Sequence, residues 1–77
     1  MRVQAEVSWY PLKALDVTRE IQAFVDALRA TGVEVELGAL SALVRGDSEA
    51  VFDALKTAFH ARAQSGTVVM LVKYVNL

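Results

Sequence analysis

Val3-Gln4-Ala5-Glu6-Val7-Ser8-Trp9-Tyr10, closed by Pro11, is the stretch that decides the fold. Strand side chains alternate between faces, so Val3, Ala5, Val7 and Trp9 share one side and Gln4, Glu6, Ser8 and Tyr10 the other. The first set suits a core. If the strand is central in a sheet, the second set puts polar groups in the middle of the opposite face, within reach of a ligand or a partner chain. Pro11 lacks a backbone donor and ends the pairing.

Working outward, Asp16 or Thr18 is placed to cap a helix. Ile21, Phe24, Val25 and Leu28 recur at helical spacing, with Val17 a turn earlier, and Gly32 is the stop. The helix is predicted over about 17–31. Val33-Glu34-Val35-Glu36-Leu37 alternates strictly and reads as a half-buried strand. It puts Glu34 and Glu36 together on one face, a solvated or pore-lining pair. Gly38-Ala39 reads as a turn, and Leu40 to Arg45 as the returning strand, ended by Gly46. Asp47 caps a second helix, with Glu49 in its first turn. Phe52, Leu55 and Phe59, with Val51 and Ala58, form that helix's apolar stripe, and Ser65-Gly66 ends it. Thr67 to Val75 is a long final strand.

Strand, helix, strand, strand, helix, strand is two crossover units joined by a hairpin. The expected fold is α+β, a ferredoxin-like βαββαβ sandwich. Its antiparallel sheet of order 4-1-3-2 carries both helices on one face. Val3, Ala5, Val7, Trp9, Val33, Val35, Leu37, Leu40, Ala42 and Val44 are then the inward strand residues. The final strand wants burial on both sides: Val68, Met70, Val72 and Tyr74 on one, Val69, Leu71 and Val75 on the other. Helices cover one side only, so a second copy of the chain is the simplest cover for the other.

Length and composition agree. The 77 residues predict one small domain, 1–77. A core of that size supplies on the order of 3–5 kcal/mol and generally needs a staple. With no cysteine and a single histidine, neither disulfides nor a metal site provides one, and apolar residues at 55% favour oligomerisation. A net charge of −1 lacks the basic footprint of a nucleic-acid binder. No apolar run is long enough to span a membrane. The N-terminus reads as a strand rather than a signal peptide, so the expected compartment is the cytoplasm.

No phosphate loop, metal-ligand spacing or nucleophile motif occurs, so no catalytic residue and no cofactor are assigned. His60 lies on the polar stripe of the second helix with Lys56 and Asp53, away from any orienting carboxylate, and reads as a surface histidine. Trp9 reads as core and Tyr10 as interface. In the antiparallel pairing of the first and third strands, Glu6 and Gln4 approach Arg45 and Leu43, and Ser8 approaches Ser41. A cross-strand Glu6–Arg45 ion pair is expected.

Val7-Ser8-Trp9-Tyr10-Pro11-Leu12 resembles the opening V-S-x-Y-P-L strand of the YkoF-like, thiamine-binding family of small ferredoxin-like proteins. Gly32-Val33-Glu34-Val35-Glu36-Leu37-Gly38, Gly46-Asp47, Val51-Phe52-Asp53-Ala54-Leu55 and Val68-Val69-Met70-Leu71-Val72 follow in the family's order, and Asn76 closes it. Ala42 and Arg45 stand where the family's third strand has T-x-x-E-G, and Glu6 stands where its first strand often has Gln. That reads as a charge exchange giving a Glu6/Arg45 pair. The resemblance implies a cytoplasmic homodimer or homotetramer that binds thiamine or its hydroxymethylpyrimidine moiety without catalysis. Ser8, Tyr10 and Asn76 are the positions carried over first. Glu6, Ser41 and Arg45 complete the candidate set, with Tyr10 against the ring, Ser8 hydrogen-bonding it and Glu6 supplying charge. The alternative is a structural or regulatory oligomerisation domain without a ligand. A small enzyme of the dimeric barrel type would need His60 inside the sheet cavity, and it lies on the wrong surface.

Overall fold

The computed structural model describes residues 1–77 apart from the Ser65 side chain. Strand β1 (Arg2–Pro11) leads to helix α1 (Val17–Ala30). The hairpin strands β2 (Glu34–Leu37) and β3 (Ala42–Asp47) follow. Helix α2 (Ser48–Arg62), a single 3-10 turn over Ala63–Ser65 and strand β4 (Val68–Asn76) complete the chain. The sheet order is β2-β3-β1-β4 with every neighbour antiparallel, which is the expected 4-1-3-2 read from the other edge.

Local chemistry sets the boundaries. Asp16, not Thr18, caps α1: its carboxylate accepts the Arg19 backbone N–H at 3.1 Å. Gly32 follows the helix with φ 94°, a left-handed conformation that an L side chain resists. Asp47 caps α2 by accepting the Glu49 N–H, and the Met1 ammonium donates to it at 3.1 Å. The ammonium, first by its hydrogen bond and then by its charge, holds the Asp47 carboxyl below its ordinary value. Its stabilising contribution is therefore fully present above the ordinary carboxylate value and is lost as the pH falls from there through the lowered one.

The core lies between the sheet and the two helices. Val3, Ala5, Val7 and Trp9 are all buried there with Val44, Phe24, Leu28, Val51, Leu55 and Ala58. At its centre the Trp9 indole stacks on Phe24, with centroids 4.2 Å apart and planes 8° from parallel. Phe59 meets Trp9 edge-on at 5.9 Å.

Three packing expectations fail for identifiable reasons. Leu40 is 93% exposed, because β2–β3 pairing stops at Leu37–Ala42 and the chain leaves the sheet there. Leu37 points to the helix side opposite buried Ala42, yet it stays exposed on an edge strand that the helices do not fully cover. Phe52 is also exposed. The α2 stripe runs through Val51, Ala54, Leu55 and Ala58, leaving Phe52 on the flank with its ring edge-on to Tyr74 at 5.0 Å.

Removing a buried phenyl ring costs about 3–5 kcal/mol, comparable with the whole stability of a core this small. Phe24→Ala is expected to be unfolded at room temperature by circular dichroism. Phe24→Leu should fold with a lowered denaturation midpoint. A folded Phe24→Ala with an unchanged midpoint would show that the Trp9 stack is not central.

Candidate functional site

The register of β1 decides what meets on the open face. Gln4 lies opposite Arg45 and Val75, Glu6 opposite Leu43 and Lys73, Ser8 opposite Leu71, and Tyr10 opposite Val69. Directly opposed residues share a face. The open face therefore carries Gln4, Glu6, Ser8, Tyr10, Leu43, Arg45, Val69, Leu71, Lys73 and Val75. Its apolar members are substantially uncovered: Leu71 is 59% exposed, and Val69, Val75 and Tyr10 are also exposed.

Arg45 does not pair with Glu6, which corrects the expected charge exchange. Its Nε donates to Gln4 Oε1 at 2.9 Å, and both terminal nitrogens reach Glu36 Oε2 at 3.3 Å. Glu34 stands 4.0 Å away. The reason is register. Arg45 is opposite Gln4 on one side and Glu34 on the other, and its long side chain leans along the sheet to Glu36. Alternation along β2 puts Glu34 and Glu36 on one face. Only the position of β2 beside β3 shows that they flank Arg45.

Glu6 is left with lighter partners. Ser41 Oγ donates to its Oε2 at 3.3 Å, and Lys73 Nζ is 3.6 Å from Oε1. Lys73 is highly exposed, and a pair of this kind contributes about 0–1 kcal/mol. A cation arriving at Glu6 therefore displaces little.

A groove of about 320 Å³ opens beside this carboxylate, lined by Glu6, Glu36, Gly38, Ala39, Leu40, Ser41 and Leu43. Two acids and no lysine or arginine line it, so it favours positive charge. A second cavity, of about 450 Å³, lies on the helix side of the same turn. Gly38, Ala39, Leu40 and Ser41 line both. Gly38 donates its N–H to the Ser41 carbonyl at 2.9 Å, and a Cβ there would come within 3.1 Å of that oxygen. A side chain there would press on that carbonyl, so the turn favours glycine.

The structure divides the six expected site residues. Glu6 and Ser41 meet at the groove, and Arg45 holds one of its walls through Glu36. Tyr10 lines the helix-side cavity with Ser41. Ser8 lies between Glu6 and Tyr10 and lines neither cavity. Asn76 does not join them. It faces Val3 on the helix side, five residues along β4 from the partner of Ser8, about 17 Å at strand spacing. Among the described residues no cluster of three or more His, Cys, Asp or Glu side chains could hold a metal ion. No helix among them is long and apolar enough to cross a membrane.

These features define a small ferredoxin-like sandwich with an uncovered sheet face and an acidic groove at one end. The chain belongs to the YKOF-related family, whose model matches residues 2–75. Its fold is similar to that of a hypothetical protein of Methanocaldococcus jannascii, with TM-score 0.88 and 26% identity over 99% of this chain and 80% of that one. A Streptococcus pneumoniae protein gives TM-score 0.88 at 19% identity, covering 99% of this chain and 87% of that one. A proposed thiamine biosynthesis/salvage protein of Thermotoga maritima gives TM-score 0.87 at 18% identity, covering 100% and 85%. No curated protein matches the chain significantly.

The Arg45 cluster is testable apart from any ligand. A double-mutant cycle of Arg45→Ala and Glu36→Ala in urea denaturation is expected to give a coupling of about 0.5–1 kcal/mol. The same cycle with Glu6→Ala in place of Glu36→Ala should give none. Coupling to Glu6 and not to Glu36 would reverse the assignment.

Proposed function

We propose that the protein binds thiamine or its hydroxymethylpyrimidine moiety, without catalysing a reaction, as a cytoplasmic homo-oligomer. The observation that carries this reading is the groove lined by Glu6 and Glu36 with no basic side chain among its lining residues. A cationic thiazolium answers that charge. Ser41 offers a hydroxyl, and Leu43 and Leu40 offer apolar surface to a flat ring. Membership of the YKOF-related family supports the reading, as does a structural neighbour proposed to act in thiamine biosynthesis or salvage.

The assembly rests on Val69, Leu71 and Val75, exposed on a face that the chain's own helices leave bare. A second copy covering them closes that face. The same three side chains also support a ligand-free oligomerisation domain, and titration separates the two readings.

Calorimetric titration of the intact protein with thiamine is expected to show saturable binding. Glu6→Gln with Glu36→Gln should weaken it about ten-fold, and should affect the uncharged hydroxymethylpyrimidine less. No heat at millimolar thiamine would remove the thiamine reading. Light scattering at micromolar concentration is expected to give a multiple of the 8.4 kDa chain mass. Leu71→Asp, a charge at the centre of the bare face, should shift it toward the monomer. A wild-type monomer would contradict the assembly.

A further inference from the structure

The sheet has two edges, and only one of them is protected. An edge strand presents a row of unpaired backbone N–H and C=O groups, which another strand readily takes up. β2, at one edge, is four residues long and carries Glu34 and Glu36, with the Arg45 guanidinium beside them. Shortness and charge are the usual defences of an edge. β4, at the other edge, has neither. It runs for nine residues, Val68–Asn76, without proline or glycine, and Lys73 is its single charge. Among the described residues β1 is its one strand neighbour, so the outer side of its backbone has no ladder.

Apolar surface flanks that edge on both faces. Val69, Leu71 and Val75 are exposed on the bare face of the sheet. On the helix side Tyr74 is exposed, with the exposed ring of Phe52 edge-on to it at 5.0 Å. A second copy laid over the bare face covers the first group only. Tyr74, Phe52 and the outer backbone groups of β4 stay in water.

We infer that β4 pairs antiparallel with β4 of a second copy across a two-fold axis normal to the sheet, joining two four-stranded sheets into one of eight. The register follows from parity. Directly opposed residues share a face, and a continuous sheet keeps the helices of both copies on one side. Even-numbered residues of β4 then oppose even-numbered ones, so one residue sits on the axis and meets its own equivalent. Centring on Lys73 sets two ammonium groups against each other, which is disfavoured. Centring on Val72 pairs all nine residues, and any other centre leaves some unpaired. Leu71 of one copy then lies opposite Lys73 of the other, so the lysine stem rests on a leucine while its ammonium stays in water. Met70 lies opposite Tyr74, a favourable contact of thioether and ring. The pairing deepens the homo-oligomer reading by adding an interface distinct from the bare face, and it does not rest on thiamine binding.

The chain has no cysteine, so a single introduced one reports its own surroundings. Val72→Cys, on the axis, is expected to form a disulfide between copies under mild oxidation. Val69→Cys should not, because its equivalent lies six residues along the other strand, about 20 Å away at strand spacing. Hydrogen exchange reads the backbone directly. A free edge leaves every second amide of β4 exchanging fast, whereas all amides of residues 69–75 are expected to be protected in the unaltered protein. Light scattering separates the two interfaces. With the bare face also covered, the wild type should be a tetramer. Leu71→Asp disrupts the bare face but sets an acid opposite Lys73 of the other copy, so the mass should fall only to a dimer, twice the 8.4 kDa chain. Adding Lys73→Asp sets acid against acid and should give the monomer. An assembled wild type in which every second β4 amide exchanges fast overturns this inference and leaves the bare-face assembly standing. So does a monomeric Leu71→Asp, or a Val72→Cys that does not cross-link. A monomeric wild type at micromolar concentration overturns both.

Discussion

β1 hydrogen-bonds β3 on one side and β4 on the other, so each odd-numbered residue from Val3 to Trp9 is forced under the helices and each even-numbered one onto the opposite face. A slip of one residue would exchange the two sets and drive Glu6 into the core. The odd set is anchored where Trp9 stacks on Phe24, tying the sheet to α1. The consequence reaches the surface. Because the core fixes the register, it also fixes which polar groups meet on the open face, and Gln4 rather than Glu6 is set opposite Arg45.

The electrostatics of that face follow. Arg45 gathers Gln4, Glu34 and Glu36 around one guanidinium and is fully engaged. Glu6 is held by a hydroxyl and an exposed lysine, both weak partners. The acidic groove therefore has one wall clamped by Arg45 through Glu36 and another, Glu6, that is readily re-partnered. Across the Gly38–Ser41 turn the chemistry reverses: no charged side chain lines the cavity there. A single short turn thus separates an acidic groove from an apolar cavity.

Most of the fold was legible because it depends on periodicity. The alternation of Val3 to Trp9, the helical recurrence of Phe24, Val25 and Leu28, and the caps at Asp16 and Asp47 are local signals, and all three stand in the structure. The site was less legible because it depends on pairings between distant strands. Glu36 becomes a partner of Arg45 only when the sheet order and the exact β2–β3 register are combined. Asn76 could have been placed by counting alone. It has the parity of Val72 and Tyr74 on β4, and so belongs to the helix side. Leu40 misled because its hydrophobicity fits a strand, whereas the pairing ends before it.

The proposed thiamine site lies at the acidic end of the even-numbered face of β1. Methyl-resolved NMR during addition of thiamine tests this most directly. Shifts concentrated at Leu43 and Leu71, with the methyls of Val51 and Leu55 beneath the sheet unmoved, are the result expected. Shifts confined to the helix side, with Leu43 and Leu71 unchanged, would contradict it.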